Sequence, residues 1–330
     1  MAARRRKNVH PIDTRSLREA AARLRRGELV AFPTETVYGL GANALDEKAV
    51  AKIFAAKGRP SDNPIIVHVS DRRMLRRVVK SVPAAAEALM RKFWPGPLTL
   101  VLSKRSSVPS LVTAGLSTVA VRMPEGIARD LVRLAGVPIA APSANVSGRP
   151  SPTTAAHVAE DFPDVFVLDG GPTAHGVEST VVALEPYPVV LRQGAVTEEQ
   201  LREILPRVRG AGAPRRVRRG APAPPASPGT KYKHYAPSRP LILFLRESSL
   251  LAYAKAHPNA LVLCPTPLAP LFPKQRTLAL GNTPEEIARG LFAALRTRRR
   301  GSELLALAVP RRGLGRTIMD RLERAATRIV

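Results

Sequence analysis

Residues 29–69 read LVAFPTETVYGLGANALDEKAVAKIFAAKGRPSDNPIIVHV, and this stretch decides the fold class. Leu29 to Phe32 is a short apolar run, the pattern of a buried strand. Asp46 is placed to cap a helix that turns Val50, Ile53 and Phe54 inward, and Gly58 and Pro60 stop it. Ile65 to Val69 is again apolar and rich in β-branched residues, which reads as a second strand. Strand, polar loop, helix and strand in succession are the signature of an α/β layered domain.

The same alternation continues outward over residues 13–205. Upstream, Ser16-x-x-Glu19 reads as a capping box, with Leu17, Ala20, Ala21 and Leu24 at helical spacing and Gly27 as the stop. Downstream, strands are expected at 98–102, 118–122, 138–141, 165–168, 180–184 and 189–191. Helices are expected near 84–93, 126–135, 153–161 and 197–205. Residues 206–236 break the pattern, being rich in Pro, Gly and Arg with no acidic residue before Lys231. Such a segment builds no core and reads as a linker or lid. From Leu241 onward strands (241–245, 260–264, 303–309) alternate with helices (247–256, 284–296, 315–328), which suits a small parallel sheet. The chain divides into 1–206, 207–237 and 238–330.

Composition narrows the class. A chain of 330 residues with 45% hydrophobic content can bury two cores. No apolar run approaches the ~18 residues of a membrane-spanning helix. The basic start, Met1 to Lys7, leads into no apolar region, so no signal peptide is expected. The single cysteine, Cys264, cannot make an intramolecular disulfide or a cysteine zinc site, and it lies within an apolar strand candidate. A cytoplasmic location follows as an expectation. Lys and Arg number 52 against 26 Asp and Glu, a net charge of +26 that favours anionic partners. Aromatics are only 4%, which argues against a stacking platform for single strands.

The familiar phosphate and metal motifs are missing. There is no G-x-x-x-x-G-K-[ST] loop, no G-x-G-x-x-G, no H-E-x-x-H and no nucleophile elbow. The chemistry therefore falls to polar loops at strand ends, where ligands of open α/β sheets bind. The first is Phe32 to Gly41, with two hydroxyls, a carboxylate and two glycines. The second is Lys57-Gly58-Arg59-Pro60-Ser61-Asp62-Asn63-Pro64, then His68. Its two cations suit either an anion clamp or simply the helix dipole. The third is Pro142 to Thr153, small and polar before a helix start, as phosphate sites are. Gly176 to Thr180 and Leu191 to Gly194 are weaker signals of the same kind.

Taken together, these segments resemble the YrdC-like family, in the long two-domain form of the threonylcarbamoyl-AMP synthases. The residues that carry the resemblance are FPTETVYGLGANA at 32–44, KIFAAKGRPSDNPIIVH at 52–68, WPGPLTLVL at 94–102, AVRMP at 120–124, PIAAPSANVSGRPSPT at 138–153, GVEST at 176–180, LRQG at 191–194 and PGTKYKHYAP at 228–237. The arginine-rich stretch 207–219 matches no family element.

The resemblance implies a twisted, open, mixed α/β sheet with a concave, positively lined cavity, plus a smaller Rossmann-like C-terminal domain. The reaction it implies joins L-threonine, bicarbonate and ATP into threonylcarbamoyl-adenylate and pyrophosphate, a nucleotidyltransferase step. That product feeds N6-threonylcarbamoyladenosine at position 37 of ANN-decoding tRNAs, through a downstream transferase complex. Carried over residue by residue, Lys57 and Arg59 are the candidate catalytic pair. Ser61, Asn63, Ser143, Asn145, Ser151, Arg192 and Tyr235 join them around ATP. Thr34, His68, Thr118, Arg122 and Ser179 are the candidates for L-threonine. Magnesium is expected on the triphosphate, with no protein metal site. A monomer is expected. The competing reading is a non-enzymatic binder of double-stranded RNA or tRNA on the same fold, which the net charge favours. Direct tRNA contact by the basic segments stays open.

Overall fold

A computed structural model describes residues 8–211 and 234–330. Most of the segment read as a linker or lid, residues 212–233, lies outside the described residues. Within the described residues the strands form two sheets. The larger contains β1 (Val9–Pro11), β2 (Val30–Phe32), β3 (Gly39–Asn43), β4 (Val67–His68), β5 (Leu98–Ser103), β6 (Thr118–Arg122), β7 (Ile139–Ala140), β8 (Phe166–Asp169), β9 (Thr180–Ala183) and β10 (Val189–Arg192). Its order is β1-β8-β2-β3-β7-β4-β6-β5-β9-β10, with parallel and antiparallel neighbours mixed. The smaller contains β11 (Leu241–Phe244), β12 (Leu261–Cys264), β13 (Thr277–Ala279), β14 (Leu304–Leu307) and β15 (Arg328–Ile329). Its order is β13-β12-β14-β11-β15, and every pairing is parallel. Both architectures agree with the expected fold class.

The helix Glu47–Lys57 forms as its sequence dictates. Asp46 accepts hydrogen bonds from the Lys48 and Ala49 N–H groups, and Gly58 ends the helix at φ 57°. Ile53, fully buried, and Phe54 enter the core beside Leu24, Phe32, Leu40 and Leu89. Each such side chain contributes about 1.5–3 kcal/mol by leaving water.

The first helix corrects the sequence reading. It runs Thr14–Arg25, and its cap is Asp13, not Ser16. Asp13 accepts from the Ser16 N–H at 2.7 Å, and the Ser16 hydroxyl accepts in return from the Asp13 N–H at 3.1 Å. Aspartate at the preceding turn satisfies the free N–H groups, so Ser16 becomes the third helical residue. The inward face of Ala20, Ala21 and Leu24 is as expected.

A second correction lies at β3. Phe32 to Gly41 read as a polar loop, yet its end continues into Gly39–Asn43, a strand antiparallel to both β2 and β7. In the smaller sheet, the last helix stops at Ala325 and the chain ends as edge strand β15. Cys264 is buried in β12, and burial pushes its thiol up to about 11. The core under the smaller sheet includes Leu241, Leu261, Leu291, Phe292, Ile318 and Leu322. It also takes in Val37, Val177 and Tyr235, so this core extends to the rim of the site described next.

Candidate functional site

The polar loops converge on one cleft on the larger sheet. Backbone bonds stitch them together. The Tyr38 N–H donates to Pro152 O and Leu40 N–H to Pro142 O, both at 2.9 Å. Ala141 N–H donates to Ile66 O at 3.0 Å, and Ser147 N–H to Lys57 O at 2.9 Å. Thr34, Arg59, His68, Arg122, Ser143, Asn145, Ser151, Ser179, Arg192 and Tyr235 all line this cleft.

Thr34 builds the first wall. Its hydroxyl donates to Val37 O at 2.7 Å and accepts from the Thr36 and Val37 N–H groups. This local turn holds Thr36, whose hydroxyl accepts from Arg122 Nη1 at 2.9 Å. Arg122 also donates from Nε to Gly96 O and ion-pairs with buried Glu35. Ser179 Oγ lies 2.8 Å from Thr99 Oγ1, and Arg192 donates to Ser179 O at 2.9 Å and Oγ at 3.2 Å.

Arg59 leaves the helix end and donates to the carbonyls of Asn63 and Pro64. Burial and Arg192 bring its guanidinium down to about 10, so it remains a cation at neutral pH. His68 is buried, and burial together with Arg122 brings it down to about 3, so it is neutral.

Among the described residues, three buried polar atoms around the cleft have no hydrogen-bond partner, His68 Nδ1, Asn145 Oδ1 and His234 Nε2, while Arg122 Nη2 has its ion pair with Glu35. Buried polar groups are nearly always paired, so three orphans in one cleft mark a place for a ligand. The Asn145 amide nitrogen is already bonded to Val146 O and Arg149 O, which leaves its oxygen as the free end.

Four expected residues sit elsewhere. Lys57 does not line the cleft. Its buried ammonium donates to Ser143 O at 2.5 Å and to Asn145 O, supporting the third loop from beneath. Burial and neighbouring Arg59 push that ammonium well below its usual range. Ser61 is exposed on the turn after the helix and does not line the cleft. Asn63 is buried beneath that turn and offers its backbone carbonyl to Arg59. Thr118 begins β6, four residues and roughly 13 Å from Arg122, and lines a separate cavity with Ser103 and Glu185. The strand's full length separates it from the cleft.

Sequence reasoning missed several members of the site. Glu178 is buried with Ser151 Oγ donating to it at 2.6 Å. His234, Thr36 and Arg149 also line the cleft. Tyr235 holds a left-handed backbone, φ 67°, a conformation that costs a non-glycine residue about 1–2 kcal/mol. Its ring stacks on Phe292 at 5.2 Å, with Arg321 5.1 Å from its centre, so the second core fixes it in place.

Residues 22–194 match the family model Sua5_yciO_yrdC, described as "Telomere recombination". Residues 196–327 match the model described as "Threonylcarbamoyl-AMP synthase, C-terminal domain". A threonylcarbamoyl-AMP synthase of Pyrococcus abyssi is 46% identical over 96% of this chain and 95% of its own length. One of Bacillus subtilis is 44% identical over 93% and 92% respectively. The crystal structure of the P. abyssi Sua5 protein complexed with L-threonine superposes with a TM-score of 0.87, covering 98% of this chain and 97% of that one. On these grounds the chain belongs to the threonylcarbamoyl-AMP synthase family, in its two-domain YrdC-like form.

Proposed function

We propose that this chain condenses L-threonine, bicarbonate and ATP into threonylcarbamoyl-adenylate. Its relatives carry the synthase name, and the P. abyssi structure was obtained with L-threonine. The observation that carries the reading is the cleft itself, where three orphaned polar atoms sit among the cations Arg59, Arg122 and Arg192. Apart from the amine, every reactant is anionic, so positioning and charge neutralisation supply most of the catalysis.

The threonine amine nitrogen forms a bond to the bicarbonate carbon, one C–O bond of bicarbonate breaks, and the released hydroxide leaves as water with the proton that the amine gives up, leaving the carbamate. A carbamate oxygen then attacks the α-phosphorus as the bond to the β-phosphate oxygen breaks and pyrophosphate leaves. The second step transfers a nucleotidyl group. In this scheme Arg59, Ser143 and Asn145 bind the phosphates, while Lys57 holds the Ser143–Asn145 loop in shape. Ser151, Arg192 and Tyr235 face the nucleotide. Thr34, neutral His68, Arg122 and Ser179 surround threonine. Mg²⁺ enters as part of the ATP substrate, consistent with a cleft rich in arginine and hydroxyls. The adenylate would then supply a transferase that modifies ANN-decoding tRNAs in the cytoplasm, with the synthase acting as a monomer. The cleft's mixed polar lining supports an enzyme over a non-enzymatic RNA binder, which needs no such set.

The test is pyrophosphate release from ATP with each co-substrate omitted in turn, and the mass of the nucleotide product. Release should require both threonine and bicarbonate, and Arg59→Ala should abolish it. ATP binding without turnover, with tRNA binding that weakens steeply with salt, would overturn the proposal in favour of the RNA-binding reading.

A further inference from the structure

Arg321 lies on the helix Leu314–Ala325 and is wholly buried. It reaches out of its own domain. Nε donates to Glu178 Oε2 at 2.9 Å, and Nη2 donates to Gln193 O at 2.8 Å. Nη1 pairs with Asp320 on its own helix. The other Glu178 oxygen accepts from Ser151 Oγ at 2.6 Å, and Ser151 lines the cleft. A continuous chain therefore runs from the C-terminal domain to the cleft: Asp320, Arg321, Glu178, Ser151. Gln193, whose carbonyl Arg321 takes, directly follows Arg192.

Stability alone is a poor account of this chain. Buried ion pairs are often matched or bettered by apolar packing, because desolvation offsets the attraction between the charges. What such a chain does supply is direction. A hydroxyl has one proton, and a fixed carboxylate beside it decides where that proton points.

We infer that Arg321 is a positioning residue for the adenylation step, orienting Ser151 through Glu178, so that the site is complete only with the C-terminal domain seated. The inference rests on the function proposed above. The charged and titratable groups facing Glu178 are Arg321 and, behind it, Asp320 from the C-terminal helix, Arg192 from β10, and Tyr235 and His234 from the segment across the cleft. Burial would push the Glu178 carboxyl up, yet Arg321 and Arg192 hold it below the usual carboxylate range. With Arg321 removed, only Arg192 and the Ser151 hydrogen bond oppose burial, and the Glu178 carboxyl should shift upward towards protonation. A protonated Glu178 can donate to Ser151 instead of accepting, and the hydroxyl loses its orientation.

The experiment compares full-length wild type, Arg321→Met, Arg321→Lys, Ser151→Ala and the Arg321→Met/Ser151→Ala double variant. Each is assayed for threonine-dependent pyrophosphate release between pH 5.5 and 8.5, with its melting temperature recorded. Wild-type turnover tests the proposed function separately, so a failure of that reading cannot be confused with a failure of this one. For Arg321→Met, kcat/KM for ATP at pH 7 should fall by about ten- to a hundredfold, the effect of a misplaced buried partner. Its KM for threonine should change far less. The acid limb of its pH profile should move up by about one unit or more. Arg321→Lys should recover most of the loss, and the double variant should be little worse than Ser151→Ala alone. Equal losses for ATP and threonine with an unshifted pH profile would overturn the inference, as would full additivity in the double variant. If Arg321→Met does not fold, Glu178→Gln decides: it should lower kcat/KM for ATP far more than that for threonine, and an unchanged kcat/KM for ATP overturns the inference.

Discussion

Arg122 and Glu35 form an ion pair with side chains only 4% and 6% exposed, inside a site proposed to bind an amino acid. Removing one partner strands a buried charge, which typically costs about 3–5 kcal/mol. Removing both strands neither. Arg122→Met and Glu35→Gln should therefore each destabilise the fold, and the double variant should lose less than the sum of the two. Urea unfolding of the two single variants and the double variant measures that coupling, and additive losses would show that the pair carries no mutual energy. Residue types at the site were legible in the sequence because anion chemistry requires them. Directions were not. Lys57 reads as an anion clamp, but its ammonium turns beneath the loop to the Ser143 and Asn145 carbonyls. Arg321 gave no signal at all, because its partner Glu178 lies 143 positions away in the chain.

Among elements, legibility followed local periodicity. The helix Glu47–Lys57 announced itself by its cap, its spacing and its glycine stop. Strand β3 did not, because Gly39-Leu40-Gly41-Ala42-Asn43 has little strand preference of its own. Its neighbours make it a strand. A Cβ on Gly41 would sit 2.6 Å from Phe32 Cε1 and 2.8 Å from Ile139 Cγ2, so glycine lets β2 and β7 close on it from both sides. A comparable close approach joins the two domains. Gly176 has φ 70°, and a Cβ there would lie 2.4 Å from Arg289 Cα and 2.6 Å from Ala288 O, both backbone atoms of the helix Pro284–Leu295. Backbone cannot step aside as a side-chain tip can. Gly176→Ala should push that helix away and cost about 2 kcal/mol or more, combining left-handed strain with overpacking. Amide exchange should quicken across 284–295 and 314–325 while the core strand β5 keeps its protection. Unchanged exchange in both helices would show that the contact is slack.

Across the whole molecule, the net charge of +26 was the most conspicuous global feature of the sequence, yet charge count alone did not reveal how the cleft manages protons. Three histidines, His68 and His234 in the cleft and His157 outside it, are buried beside arginines and held neutral. Burial, then Arg122, brings His68 down to about 3. Burial, then Arg296, brings His157 to about 4, and burial, then Arg59, brings His234 to about 4. In the unfolded chain each returns to its ordinary value near 6.5. Between those limits the unfolded state binds more protons than the folded one, so stability rises with pH. The contribution is complete above about pH 6.5 and is lost as pH falls towards the folded values, at about 1.4 kcal/mol per pH unit for each histidine. Glu178 and Asp320, whose folded values are lowered from ordinary values of 4.5 and 3.8, act mainly below that range. Stability measured by urea unfolding should therefore be flat from pH 8 to 7 and fall steadily from pH 6.5 to 4.5. In His68→Gln, which removes one of these protons, the slope should be shallower by about 1.4 kcal/mol per unit. A wild-type stability that stayed level down to pH 4.5 would mean that these rings take up protons in the folded protein as readily as in the unfolded chain, and the neutral His68 assigned to threonine would have to be abandoned.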